Sequence, residues 1–206
     1  MVQLLSKRKV PRPCVFVNDL VASAVGEAGG GTIALIQIGT GIAGRCVVNG
    51  VALPGANGYA GEIGHLCFRP GGRRCLCGNR GCAEAYGGWG SVQRRYEEAR
   101  RTVFSPAAVL ENARSDPWAR GVFEDALAAL GFAACALVSA CDPGTLRVGG
   151  GLCAAWGETL LTSMRNALTV GVLAELAAST RIERTKLGDR ASLLGLAALA
   201  STPRRH

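Results

Sequence analysis

The segment from Gly50 to Gly90 constrains this chain more than any other. It is dense in glycine, shows little periodicity, and carries His65, Cys75, Cys77 and Cys82. A loop that long inside a packed domain needs something to hold it, such as a bound ligand or a metal. Three thiolates and one imidazole form a tetrahedral donor set that suits zinc and leaves no coordination position open to water. Gly71, Gly72, Gly78 and Gly81 let the backbone curl tightly around an ion. The Cys75-Leu76-Cys77 spacing is tighter than the two-residue spacer of common zinc knuckles, and Cys67, two residues after His65, is an alternative ligand. The opposing reading is four unrelated side chains in one loop. Free thiols there would be a reactive liability, which favours the metal.

The remaining cysteines behave differently. Cys14, Cys46, Cys135, Cys141 and Cys153 sit among apolar or glycine-rich neighbours and read as small core residues. A local cluster in a reducing compartment points to a metal before a disulfide. The chain has 206 residues, 49% hydrophobic and 18% charged, as expected of a packed domain and not of a disordered chain. Charge, glycine or proline interrupts each apolar run before it reaches the length of a membrane span. The residues from Met1 to Cys14 include basic side chains but no apolar stretch of the kind a signal peptide needs. The expectation is a cytoplasmic protein. The net charge of +8 comes mostly from arginines scattered between Arg8 and Arg205, with no basic run interleaved with aromatics. They read as solvated arginines, and a nucleic-acid partner is not expected.

The periodicity predicts alternating strands and helices, hence an α/β fold. Cys14 to Val17 reads as a short strand and Leu20 to Val25 as a helix. Thr32 to Ile38 reads as a buried strand, with Arg45 to Asn49 as its hairpin partner. Helices are expected over Ser91–Arg101 and Trp118–Cys141, with Ser105-Pro106 and Asp116-Pro117 as caps with first-turn prolines. Thr145 to Val148 is a second buried strand, followed by a helix to about Leu168. A strand over Arg181–Leu187 and a helix over Ala191–Ala200 complete the reading.

Two strands end in glycine turns. The first turn is Gly39-Thr40-Gly41-Ile42-Ala43-Gly44 and the second Gly149-Gly150-Gly151. Such turns let backbone N–H groups approach an anion without a Cβ in the way, and Thr40 adds a hydroxyl. The first lacks the Lys-Ser/Thr of a P-loop and opens no helix, so on its own a tight hairpin is the simpler reading. Asp19 follows Asn18 ahead of a helix, where it serves as a cap or as a general base. Glu62 precedes Gly64-His65, and Glu84 follows Cys82 by two residues. A metal that fixes His65 and Cys82 fixes the backbone beside both carboxylates, and a fixed carboxylate can accept two sugar hydroxyls.

These pieces stand in a familiar order. Asn18-Asp19, Ala24-Val25-Gly26-Glu27, Gly39-Thr40-Gly41-Ile42, Gly55, Ala60-Gly61-Glu62-Ile63-Gly64-His65, Cys75-Leu76-Cys77-Gly78-Asn79-Arg80-Gly81-Cys82-Ala83-Glu84, Gly149-Gly150-Gly151 and Leu187-Gly188-Asp189-Arg190-Ala191 together resemble the ROK family (repressor, open reading frame, kinase). That family includes bacterial glucokinases, fructokinases and N-acetylhexosamine kinases. The resemblance implies an actin-like, ribonuclease-H-like ATPase fold with ATP and sugar in a cleft between two domains. It implies phosphoryl transfer from Mg-ATP to a hexose or amino-hexose, with a structural zinc on His65, Cys75, Cys77 and Cys82. Asp19 would be the catalytic base, with Asn18, Glu62, His65 and Glu84 on the sugar. Gly39, Thr40, Gly41 and Gly44 would lie at the phosphates, and Gly149 and Gly150 near the adenosine. Homodimers are usual in the family.

The chain also departs from the family pattern. The first phosphate motif, Asp-x-Gly-x-Thr, is absent from it. The expectation is therefore a chain short at its N-terminus: residues 1–31 as a remnant of the small domain, with the helix at 190–202 packing on it, and residues 32–189 as the large domain with its zinc loop at 65–84. Its kinase activity is then in doubt. The helix from Leu20 would lack the apolar surface it packs on, and Arg45 would bring charge near the phosphates. The alternatives are a sugar-sensing regulator without its DNA-binding domain, or a non-catalytic sugar-binding module held by zinc.

Overall fold

Asn18 opens the first helix. Its extended backbone turns the side chain back to accept the N–H of Leu20 at 3.0 Å, so that α1 runs Asp19–Ala28 until Gly29 stops it in the left-handed conformation. The computed structural model describes residues 17–100 and 105–201; apart from Val17, the strand expected at Cys14–Val17 lies outside them.

Strand β1 (Ile33–Ile38) is buried on both faces. The chain reverses through Gly39-Thr40-Gly41 into β2 (Ile42–Val48), antiparallel to β1 with Ile38 opposite Ile42. The returning strand thus starts at Ile42, three residues earlier than the sequence suggests. Asn49 and Gly50 both have positive φ, the conformation a two-residue hairpin requires, and lead into β3 (Val51–Ala52). A 3₁₀ turn at Ile63–His65 and the cysteine loop precede α2 (Glu84–Gly87) and α3 (Trp89–Arg100). Ser105 caps α4 (Pro106–Asn112), and Asp116 caps α5 (Pro117–Cys141), each with proline in the first turn as expected. Then follow β4 (Thr145–Gly149), α6 (Gly151–Gly171), α7 (Ala174–Ser179), β5 (Arg181–Arg184) and α8 (Arg190–Ser201).

The sheet order is β3-β2-β1-β4-β5, antiparallel through the first three strands and parallel from β1 to β4 to β5. Strand alternation divides β1 between two layers. Ala34, Ile36 and Ile38 join the core built by α5 and α6, with Leu130, Leu137, Leu152 and Leu160. Ile33 and Leu35 meet Leu20 and Ala24 of α1, together with Val47. Each of these large apolar side chains contributes about 1.5–3 kcal/mol by leaving water. Helix α1 therefore has an apolar surface under it, contrary to the expectation that it lacks one. Helix α8 packs very closely on α1: a Cβ on Gly26 would lie 2.1 Å from the carbonyl oxygen of Ala191.

Helix α5 corrects a second expectation. It is long and apolar enough to cross a membrane. Ala126, Ala129, Leu130, Ala133, Ala134 and Leu137 are instead buried within the fold, so that here it serves as a core helix.

Candidate functional site

The cysteine loop closes on itself. The N–H of Cys75 donates to the carbonyl of Asn79 at 2.8 Å, and that of Gly78 to Cys75 at 3.1 Å, which brings Cys75 and Cys77 to one side. Cys82 stands just ahead of α2. His65 ends the 3₁₀ turn, its N–H on the carbonyl of Glu62 at 3.1 Å. One ligand atom from each of His65, Cys75, Cys77 and Cys82 lies within 4.8 Å of all the others. Cys75 Sγ is 3.7 Å from His65 Nδ1, and Cys77 Sγ is 3.7 Å from Cys82 Sγ. Metal–sulfur bonds of about 2.3 Å at tetrahedral angles put sulfurs about 3.8 Å apart. The donor set and its spacing therefore fit zinc. Burial pushes the Cys82 thiol up to about 12 and raises that of Cys75, whereas the backbone N–H of Asn79 lowers that of Cys77. Cys67 is exposed and stands outside the cluster.

Glu84, the first residue of α2, joins this cluster to the first glycine turn. Its Oε1 lies 3.9 Å from Cys75 Sγ, and its Oε2 accepts the N–H of Ile42 at 3.0 Å. A Cβ on Gly41 would sit 2.3 Å from that Oε2, so a side chain there would displace the carboxylate from Ile42. The turn is held from the other side by the N–H of Trp89 on Gly39 at 2.9 Å and that of Gly90 on Thr40 at 3.2 Å. Thr40 is exposed, and the amides of Thr40 and Gly41 have no acceptor among the described residues. Gly44 is a correction. It is not part of the turn but lies buried in β2, its N–H spent on Gly61 at 2.7 Å, and glycine is needed there for room beside Ile63 and Leu137. Its amide is not available to a phosphate.

Glu62 is held by Arg45, whose Nη2 lies 3.4 Å from its Oε1. Arg45 is 4% exposed and also donates to the carbonyls of Gly44 and Ala60. It fastens the Ala60–Glu62 loop to β2, where the sequence suggested a charge near the phosphates.

The second glycine turn lies beside the first because β1 and β4 are parallel neighbours, with Gln37 opposite Gly149. Gly150 has φ 93°, and a Cβ there would come within 2.3 Å of the carbonyl of Ile38. Gly149 and Gly150 line a cleft of about 530 Å³ together with Gln37, Thr185, Ser23 and Glu27. Glu27 accepts the N–H groups of Lys186 at 3.0 Å and Leu187 at 2.8 Å, which ties α1 to the end of β5. Asp19 shares the face of α1 that carries Ser23 and Glu27, at i, i+4 and i+8. It is exposed, and its Oδ1 accepts the N–H of Leu20 at 2.8 Å.

The structure thus brings His65, Cys75, Cys77, Cys82 and Glu84 together, with Glu62 one 3₁₀ turn away. It sets Gly39 to Gly41 beside Gly149 and Gly150. It shows no hydrogen bond or ion pair from Asn18 or Asp19 to Glu62, His65 or Glu84. Sequence reasoning missed Arg45 and Glu27 as the side chains that fasten these parts. The one signal for Arg45 was a charge inside a strand otherwise apolar.

A profile of the ROK family matches residues 1–203. A glucokinase of Halalkalibacterium halodurans is 32% identical over 89% of this chain and 62% of its own length. A kanosamine kinase of Amycolatopsis mediterranei is 34% identical over 89% of this chain and 60% of its own. The chain therefore spans about six-tenths of the length of these curated relatives. Among solved structures, a ROK family glucokinase from Streptomyces griseus in complex with glucose and AMPPNP superposes with a TM-score of 0.72 at 28% identity, over 96% of this chain and 70% of that one. The fold is the actin-like ATPase fold expected from the sequence.

Proposed function

The chain belongs to the ROK family, and from that premise we propose that it supplies the sugar site and part of the ATP site of a kinase that phosphorylates a hexose or amino-hexose. The observation that carries this reading is the Glu84 carboxylate, which bonds the glycine turn at Ile42 and adjoins the metal-type cluster at Cys75. One side chain thereby fixes the distance between the place for a sugar hydroxyl and the place for a phosphate. Transfer between two bound reactants gains most from such positioning.

In this reading Glu62, His65 and Glu84 hold the sugar hydroxyls, and Asn18 offers its amide nitrogen while its oxygen caps α1. Asp19 accepts the proton of the attacking hydroxyl. The hydroxyl oxygen bonds the γ-phosphorus of Mg-ATP as the bond from that phosphorus to the bridging oxygen breaks, and ADP leaves. The amides of Thr40 and Gly41 face the phosphates, and the cleft at Gly149 and Gly150 takes the adenosine. His65, Cys75, Cys77 and Cys82 would hold a zinc ion in a structural role, which would orient His65 and the start of α2. The protein works as a homodimer in the reducing cytoplasm, where thiols stay available to a metal.

The test is calorimetry with glucose, mannose and glucosamine, followed by an assay of sugar-dependent ATP consumption. Glu84→Gln should weaken sugar binding by about tenfold or more. Where turnover is measurable, Asp19→Asn should lower kcat by roughly two to four orders of magnitude with KM little changed. Absence of binding to any of the sugars, or an Asp19→Asn loss of less than about tenfold, would count against the reading.

A further inference from the structure

The scattered arginines of the sequence converge at one place. Arg73 and Arg74 of the cysteine loop, with Ser91, Arg94, Arg95 and Glu98 of α3, line a cavity of about 340 Å³. Arg95 is 7% exposed. Its Nη2 pairs with Asp125 at 2.5 Å, but Asp125 also serves Arg69 at 2.5 Å. Its Nη1 is closed off from solvent and has no hydrogen-bond partner among the described residues. Burial lowers the pKa of Arg95, and the charge of Arg73 adds to that effect.

The neighbouring charges are also short of acceptors. Arg73 pairs with Glu98 at 2.7 Å, both at the surface. Among the described residues Arg94 reaches only the neutral Ser91 hydroxyl, at 3.0 Å. Neither Arg74 nor Arg94 has a carboxylate partner among the described residues. Four guanidinium groups thus surround one cavity whose lining contains a single carboxylate, Glu98. Guanidinium forks suit the oxygens of a phosphate, which they bind in pairs. The recessed position of Arg95 favours a small anion over an extended polymer.

We propose that this pocket is a binding site for a phosphoryl dianion, either free phosphate or the phosphate group of a small ester, with Arg95 recessed at its base and Arg73, Arg74 and Arg94 at its mouth. None of its lining residues belongs to the glycine turn, but it shares an element with it, since Trp89 and Gly90 at the start of α3 bond the turn at Gly39 and Thr40. Phosphate binding here does not depend on the phosphotransfer proposed above.

The test is calorimetry on the intact chain at constant ionic strength, with inorganic phosphate and glucose 6-phosphate as separate ligands. Removing Arg95 would strand Asp125 and threatens the fold, so the variants are Arg73→Ala, Arg74→Ala and Arg94→Ala at the surface. Each should weaken binding by about threefold to tenfold, and the triple variant should abolish it. Equal affinity for the two ligands marks a site for phosphate alone, and tighter binding of glucose 6-phosphate marks a site for the ester. No heat from either ligand at about 10 mM overturns the proposal. Binding that falls with Arg94→Ala but not with Arg73→Ala or Arg74→Ala belongs to the glycine turn and overturns it as well.

Discussion

Glu84 accepts the backbone N–H of Ile42 across a separation of 42 residues, at 3.0 Å. The bond joins the first residue of a helix to the first residue of a strand. Ile42 is 2% exposed, so its amide has no recourse to water. The same carboxylate fills the space that a side chain on Gly41 would need. Glycine at the turn and glutamate at the helix start are therefore one feature, although far apart in sequence.

Loss of that acceptor should be visible at Ile42 itself. Glu84→Ala leaves a buried N–H unsatisfied, at a cost of about 1–3 kcal/mol. Glu84→Gln keeps an oxygen in place and should cost less than about 1 kcal/mol. Amide hydrogen exchange at Ile42 is the readout: fast in the alanine variant, protected in the glutamine variant. Equal protection in both would mean that the bond does not hold the turn.

The four-ligand cluster predicts one zinc per chain. Two of its thiols are buried and hard to ionise without a cation, so metal and fold should depend on each other. Cys82→Ser is expected to lose the metal and about 3 kcal/mol or more. For a chain of this length that is a fall in Tm of roughly 6–12 °C. Elemental analysis with well under one equivalent in the unaltered chain, or an unchanged Tm in the variant, would refute the assignment. Cys67→Ser, outside the cluster, should retain full metal content.

Local chemistry was the legible part of this molecule. His65, Cys75, Cys77 and Cys82 were found because few groupings of such side chains have another use and all four fall in one loop. Ile33–Ile38 was found because a continuous apolar run bounded by glycine leaves little choice. Ile42-Ala43-Gly44 was misread because glycine marks both turns and tight packing, and only the position of Ile63 and Leu137 shows which applies at Gly44. Arg45 was misplaced for a related reason: a charge in a sequence does not state which way it points. Glu27 gave no sign of its role, because the amides it holds lie 159 and 160 residues away.

Arg45 should matter to the loop more than to the strand. It sits in β2 opposite Leu35 and sends its guanidinium to Gly44, Ala60 and Glu62. Arg45→Met keeps the apolar stem but removes these bonds, at a cost of about 2 kcal/mol, or roughly 4–8 °C in Tm. The glycine-rich stretch from Gly55 to Gly61 should then be cut faster by a nonspecific protease. Unchanged cleavage there would show that the loop is held by other contacts.

The α1–α8 crossing offers the sharpest contrast between two glycines. A Cβ on Gly195 would lie 1.7 Å from the carbonyl oxygen of Ala22 and 3.0 Å from the backbone nitrogen of Gly26. Both neighbours are backbone, so neither can turn aside as a flexible side chain would; the helices must part. Separation would disturb Leu20 and Ala24 on the sheet, because α1 is gripped between the strands and α8. Gly195→Ala should therefore cost about 3 kcal/mol or more, at the upper end of overpacking. Gly121 is also helical, in α5, but it is exposed and a Cβ there meets nothing within 4 Å. Gly121→Ala should stabilise the chain by about 0.5–1 kcal/mol through helix propensity alone. Thermal unfolding of the two variants should thus move in opposite directions, down for Gly195→Ala and up for Gly121→Ala. A Gly195→Ala chain as stable as the parent would mean that α8 does not pack on α1 at this distance, and that Glu27 alone ties α1 to the end of β5.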